Sequence, residues 1–241
     1  MELTQTGIEG IDAILGGGIV KGATVLVSGG PGTGKSLLGI QYLYNGVRSF
    51  DSKGIYLSFE ENEADIRQAA ASIGFEDWGD YVDEGAIKVY DKQALLRDDD
   101  FSSTLDRILD DLQGSTYDRL VMDSLTMFQL FFESEKEKRT YLLQFSDILK
   151  RNGFTSLLIS ERGRVLQEAK ISLENFLTDG NIYLFQTPTE SGVNRYIWIA
   201  KMRKQDIKND IFPMDLGQGG LTVHDRASGF SMMEGGGMTF G

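Results

Sequence analysis

Eight residues constrain this chain more than any others: Gly29-Gly30-Pro31-Gly32-Thr33-Gly34-Lys35-Ser36. They match the spacing G-x-x-x-x-G-K-S, with Gly29, Gly34, Lys35 and Ser36 at the fixed points. The apolar run "TVLVS" before them reads as a buried strand, and "LLGIQYLYNG" after them as a helix. Such a loop works only between a strand and a helix, so it commits the chain to an α/β fold. Glycines let successive N–H groups converge on phosphate oxygens, and the helix start adds partial positive charge. The segment Gly30, Pro31, Gly32, Thr33, Gly34, Lys35, Ser36 and Leu37 is therefore the candidate cradle for a nucleoside triphosphate. Lys35 would reach the β- and γ-phosphates, and the Ser36 hydroxyl would ligate Mg²⁺.

The rest of the chain agrees with that commitment. Short apolar runs at Thr24 to Val27, Gly54 to Phe59, Ile87 to Tyr90, Leu120 to Met122 and Ser156 to Ser160 alternate with helical patterns. Strand, helix, strand in repetition predicts a mostly parallel central sheet flanked by helices. The last third changes character. Runs at Asn181 to Gln186, Arg195 to Met202 and Ile211 to Leu216 follow closely, with turn-rich pieces between, and predict antiparallel strands extending the sheet. Residues 1–228 are expected to form one ATPase domain. The glycine-rich end, 229–241, reads as a flexible tail or a segment that orders only against a partner.

With 241 residues, 41% of them apolar, the chain can bury a substantial core. A formal net charge of −12 repels phosphate backbones at long range, which disfavours nonspecific nucleic-acid binding. The absence of cysteine excludes disulfides, thiolate metal sites and a thiol nucleophile, and fits a reducing cytoplasm. No stretch approaches the roughly 20 apolar residues that span a bilayer, so no membrane association is expected.

A P-loop needs a second acidic group for its metal. In "RLVMDS" a buried strand ends in Asp123, at the carboxyl edge where open α/β sheets bind ligands. The strand "GIYLSF" ends in Glu60-Glu61, again at a carboxyl edge, and its place in sequence suggests a position beside the P-loop strand. Two readings of that pair stay open: a carboxylate that orients an attacking water, or the acidic start of the next helix. Near the end, Lys201 and Arg203 alternate with Met202 and share a face if that segment is a strand. They read either as a phosphate-gripping pair or as a solvated basic strand end. His224, the single histidine, has no partner type for a zinc site and reads as a surface residue. Asp98 to Asp100 read as a solvated turn. Ser102-Ser103-Thr104 is a helix-start candidate.

In order, "TGIEGIDAILGGGIVKGATVLVSGGPGTGKS", "GIYLSFEENEADI", "LVMDSLTMF", "LISERG", "LTDGNIYL" and "IAKMR" resemble the KaiC-like branch of the RecA-superfamily ATPases from about Thr6 to Arg203. The resemblance implies a RecA-like core and ATP held at subunit interfaces of a ring, commonly a hexamer. It makes Glu60 and Glu61 the catalytic pair. Lys201 and Arg203 become cations supplied in trans, and Ser160 a γ-phosphate sensor. Two departures limit it. The family's namesake carries two such domains in tandem where this chain has room for one, and its phosphorylated Ser-Thr pair has no clear counterpart here, so a clock function is not implied. The expected function is an Mg²⁺-dependent, ring-forming ATPase that regulates a protein partner through its nucleotide state. The alternative is a recombinase-like DNA-binding ATPase. It is disfavoured because the loop Gly163 to Asn175, where recombinases contact DNA, lacks the aromatic residues on which single strands stack.

Overall fold

The computed structural model describes residues 1–95, 101–132, 134–161, 178–190 and 192–226. The expected tail 229–241, the acidic turn Asp98 to Asp100 and the loop from Gly163 to Asn175 lie outside them. The chain begins with β1 (Leu3–Thr4), α1 (Ile11–Ile14) and β2 (Ile19–Val20). The P-loop unit follows, β3 (Thr24–Gly29) and α2 (Lys35–Phe50), and then β4 (Gly54–Ser58), α3 (Glu63–Ser72), α4 (Trp78–Asp83) and β5 (Ile87–Tyr90). Next come α5 (Lys92–Leu95), α6 (Phe101–Leu112), β6 (Arg119–Asp123), α7 (Leu125–Gln129), α8 (Glu135–Arg151) and β7 (Thr155–Glu161). The last strands are β8 (Gly180–Thr189), β9 (Gly192–Met202), β10 (Ile211–Gly217) and β11 (Gly220–Val223).

Among the described residues β1 pairs only with β2, and the other strands form a nine-stranded sheet in the order β11-β10-β9-β8-β3-β7-β6-β4-β5. From β8 to β5 all neighbours are parallel. β9 and β10 continue the sheet antiparallel, as the spacing of the late apolar runs predicts, and β11, outside those runs, adds one more antiparallel strand. Both faces are covered. Val25, Val27, Tyr56, Val121 and Leu157 face one core with Leu38, Tyr42 and Trp78 from α2 and α4. The alternate residues Leu26, Ile55, Leu57, Leu120 and Leu158 face a second core with Ile108, Phe128 and Phe145 from α6, α7 and α8. A fully buried aliphatic side chain contributes about 1.5–3 kcal/mol, so unbroken apolar strands between two helical layers favour this three-layer arrangement over a one-sided sheet.

One sequence expectation is corrected. The strand carrying Glu60 and Glu61 does not lie beside the P-loop strand, because β7 and β6 insert between β3 and β4. Three strand spacings amount to about 14 Å, well within the reach of the crossover through α2. Gly39 permits the crossing. A Cβ there would lie 2.8 Å from Val121 Cγ1 and 3.3 Å from Ile159 Cδ1, so the helix rests directly on the two inserted strands. No described helix is long and apolar enough to cross a membrane.

Candidate nucleotide site

The P-loop leaves the carboxyl end of β3 through Gly32 (φ 72°) and Gly34 (φ 96°), both in the left-handed region that glycine adopts without strain. Gly34 caps α2 with no side-chain bond, so the first N–H groups of the helix stay available to an anion. Thr33 Oγ1 and Lys35 Nζ each donate to the Gly30 carbonyl at 2.9 Å, drawing the loop into a closed ring. Gln186 Nε2 on β8 donates to the Pro31 carbonyl at 3.4 Å. Lys35 is buried, with its ammonium held against the loop rather than in solvent.

Asp123 ends β6 one register step from the glutamate turn, since Ser58 pairs with Asp123 across β4 and β6. The Tyr56 hydroxyl donates to its Oδ2 at 2.8 Å, and the Ser36 hydroxyl, from the P-loop helix, lies near enough to favour the charged carboxylate. Burial pushes the Asp123 carboxyl up and the Glu60 charge adds to this, while the two hydroxyls and the Lys35 ammonium pull it down. Ser124, the next residue, donates to Glu60 Oε1 at 2.7 Å and accepts from the Met127 N–H at 3.2 Å, capping α7. Glu61 is tethered through its backbone, its N–H donating to Ser58 Oγ at 3.0 Å. The Glu61 carboxyl is raised, first by burial, then by Asp123, Asp65 and Glu60. Its immediate neighbour in sequence is therefore the smallest of these influences.

α3 begins at Glu63 and is capped by Asn62 Oδ1 on the Asp65 N–H at 3.0 Å, so Glu60 and Glu61 precede the helix while Glu63 lies in its first turn. Lys35, Ser36, Asp123, Glu60 and Glu61 thus gather at the carboxyl ends of β3, β6 and β4. Ser160 joins them on β7, opposite Ser28 of the P-loop strand and 3.5 Å from Thr126 Oγ1. Sequence reasoning missed Tyr56 and Ser124. Tyr56 becomes legible only once β4 and β6 are paired, when it falls two residues back from the partner of Asp123 on the same face. Among the described residues no group of three or more His, Cys, Asp or Glu could cage a metal. Mg²⁺ fits nonetheless, because it is held by one or two carboxylates with phosphate and water oxygens, and Ser36 and Asp123 present hard oxygen donors near one another.

Lys201 and Arg203 are not brought to this cradle. Lys201 pairs with Asn181, and the Arg203 N–H donates at 2.8 Å to the carbonyl of Asp179, whose own N–H donates to Thr24. Arg203 therefore sits level with Thr24 at the amino end of β3, about 17 Å along the strand from Gly29. Neither cation reaches the P-loop of its own chain. Lys201 Nζ donates to the Thr178 carbonyl at 2.8 Å, and burial, followed by the charge of Arg203, lowers the ammonium below its usual range. His224 Nε2 lies 2.7 Å from Asp215 Oδ2 on the exposed β10–β11 hairpin, in keeping with a surface role.

A strand, glycine loop and helix with an acidic strand end beside them, in a sheet of this order, define a P-loop protein of RecA-like architecture. The family model described as "ATPase: KaiC" matches residues 4–228. The chain belongs to the KaiC ATPase family. It is 31% identical to the circadian clock oscillator protein KaiC of Picosynechococcus sp. over 91% of its length and 44% of that protein's. The Synechococcus elongatus counterpart is also 31% identical, over 91% of this chain and 43% of its own length. The chain thus spans less than half of these curated relatives. The crystal structure of a KaiC-like protein from the archaeon Pyrococcus horikoshii OT3 superposes with a TM-score of 0.80 and 31% identity, covering 92% of this chain and 99% of that one.

Proposed function

We propose that this chain is an Mg²⁺-dependent ATPase that hydrolyses ATP to ADP and phosphate. Its copies assemble into a ring, six being the common number in the family, and its nucleotide state regulates a protein partner in the cytoplasm. The observation that supports this best is the convergence of Lys35, Ser36, Asp123, Glu60 and Glu61 at the carboxyl edge of one sheet, in a chain that belongs to an ATPase family. The P-loop amides and Lys35 would bind the β- and γ-phosphates. Ser36 and Asp123 would hold Mg²⁺, which when bound neutralises charge on those phosphates. A glutamate of the pair would orient a water whose oxygen attacks the γ-phosphorus while the bond to the β,γ-bridging oxygen breaks. The water's proton passes to that carboxylate, and the raised Glu61 carboxyl is suited to accept it. Lys201 and Arg203, at the far end of the sheet, would complete the site of a neighbouring copy.

Two variants test the reading together. Lys35→Ala should abolish ATP affinity with the fold intact. Glu60→Gln combined with Glu61→Gln should bind ATP while turnover falls by a factor on the order of 10². Full turnover in the glutamate variant would return both residues to a structural role. Single-stranded DNA should leave wild-type turnover unchanged, and stimulation by it would favour the recombinase-like alternative.

A further inference from the structure

Asp179 is the residue on which the far end of the sheet converges. It precedes β8 and its side chain is only 19% exposed. Its carboxylate accepts the Thr24 N–H at 3.1 Å, which fixes it to the start of the P-loop strand. The same carboxylate lies 3.2 Å from Lys150 Nζ, at the end of α8, and 3.7 Å from Arg203 Nη1. Its backbone carbonyl receives the Arg203 N–H, and the carbonyl of the preceding Thr178 receives Lys201 Nζ. Cations from two separate elements, a helix end and a strand end, are thus collected around one fixed negative charge. A pocket of about 160 Å³ opens beside it, lined by Lys21, Lys150, Arg203 and Lys204.

The distances are unequal, and that is informative. Lys150 makes the closer contact and Arg203 the longer one, with the Arg203 side chain 49% exposed. A carboxylate shared in this way directs a guanidinium without capturing it. Without that charge, Lys150, Lys201 and Arg203 would repel one another and splay. We propose that Asp179, assisted by Lys150, is a positioning residue for the cation pair. It holds Arg203 half-extended from the end of the sheet, to meet a phosphate brought by a second copy of this chain. This rests on the reading that Lys201 and Arg203 act in trans.

Asp179→Asn keeps an acceptor for Thr24 and removes the charge. Turnover should fall about 10- to 100-fold, the scale of a misplaced catalytic group, with ATP affinity unchanged. Mixing subunits then locates the defect. The control joins Arg203→Ala with the Glu60→Gln/Glu61→Gln variant, and activity should return, because some interfaces combine an intact Arg203 with an intact glutamate pair. Asp179→Asn should likewise be rescued by the glutamate variant but not by Arg203→Ala, since those two share a damaged face. A variant that merely loosened the fold would be rescued by neither. If the control recovers while Asp179→Asn is rescued by Arg203→Ala, by neither partner, or shows full turnover alone, Asp179 is not the positioner. If mixed assemblies form and the control itself stays inactive, the trans reading fails and the proposal with it. Should Asp179→Asn not fold, Lys150→Gln takes its place in the same mixtures, with the same pattern expected and a smaller loss.

Discussion

The residue that fixes Asp123 at the carboxyl edge of the sheet is one that carries no charge. Tyr56 is fully buried, its hydroxyl is spent on Asp123 Oδ2, and burial drives its own ionisation well above the usual range, so it is a permanent donor. With one carboxylate oxygen held by Tyr56, Asp123 cannot rotate freely away from Ser36. Tyr56→Phe removes that bond at almost constant volume and leaves a buried carboxylate short of a donor, which costs about 1–3 kcal/mol. The expected outcome is a several-fold rise in the Mg²⁺ concentration needed for half-maximal turnover. ATP affinity measured in chelator should not change. An unaltered Mg²⁺ requirement would make Tyr56 a core residue and nothing more. At this scale the sequence was most legible where chemistry fixes spacing, as in Lys35, Ser36 and Asp123. It was least legible for Tyr56 and Ser124, whose parts depend on which strand lies next to which.

Among the elements, α2 rests so closely on the sheet that a side chain at Gly39 would meet a neighbouring strand. Gly39→Ala would favour the helix by about 1 kcal/mol through propensity, yet its methyl meets Val121 Cγ1 at 2.8 Å on a strand packed from both sides. Overpacking costs typically 1–3 kcal/mol, so the clash should win. A fall of roughly 2–4 °C in melting temperature per kcal/mol is the scale for a chain of this size, and an unchanged or higher melting point would show that Val121 yields. The positions of most strands follow from their apolar runs, but their order does not. β6 and β7 come later in the chain than β4, and nothing local announces that they insert ahead of it. The end of β9 hides a second irregularity. Asn181 pairs with Lys201 and Ile182 with Ile199, leaving Ala200 as an extra residue. Ile197, Ile199 and Met202 all enter the same core, so the inward parity switches at the bulge. Strict alternation from Ile197 would have driven Lys201 into that core; the bulge turns it away toward Thr178.

For the whole molecule, the distance between the P-loop and the Lys201–Arg203 end makes nucleotide binding and association one linked equilibrium if each site draws on two copies. ATP with Mg²⁺ should raise the sedimentation coefficient, and the Lys201→Ala/Arg203→Ala double variant should blunt that response. Equal sedimentation of both proteins under all conditions would separate the cations from assembly. The placement of the two groups also gives any such assembly a direction. A contact between the carboxyl edge of one sheet and the amino edge of another joins unlike surfaces, so it cannot be satisfied by a twofold pair. Each copy added uses up a head and exposes a tail. Growth ends only when the last tail finds the first head, and a turn that fails to close yields a filament. Copies disabled at one edge would then act as chain terminators, halting propagation from one side while leaving the other side competent.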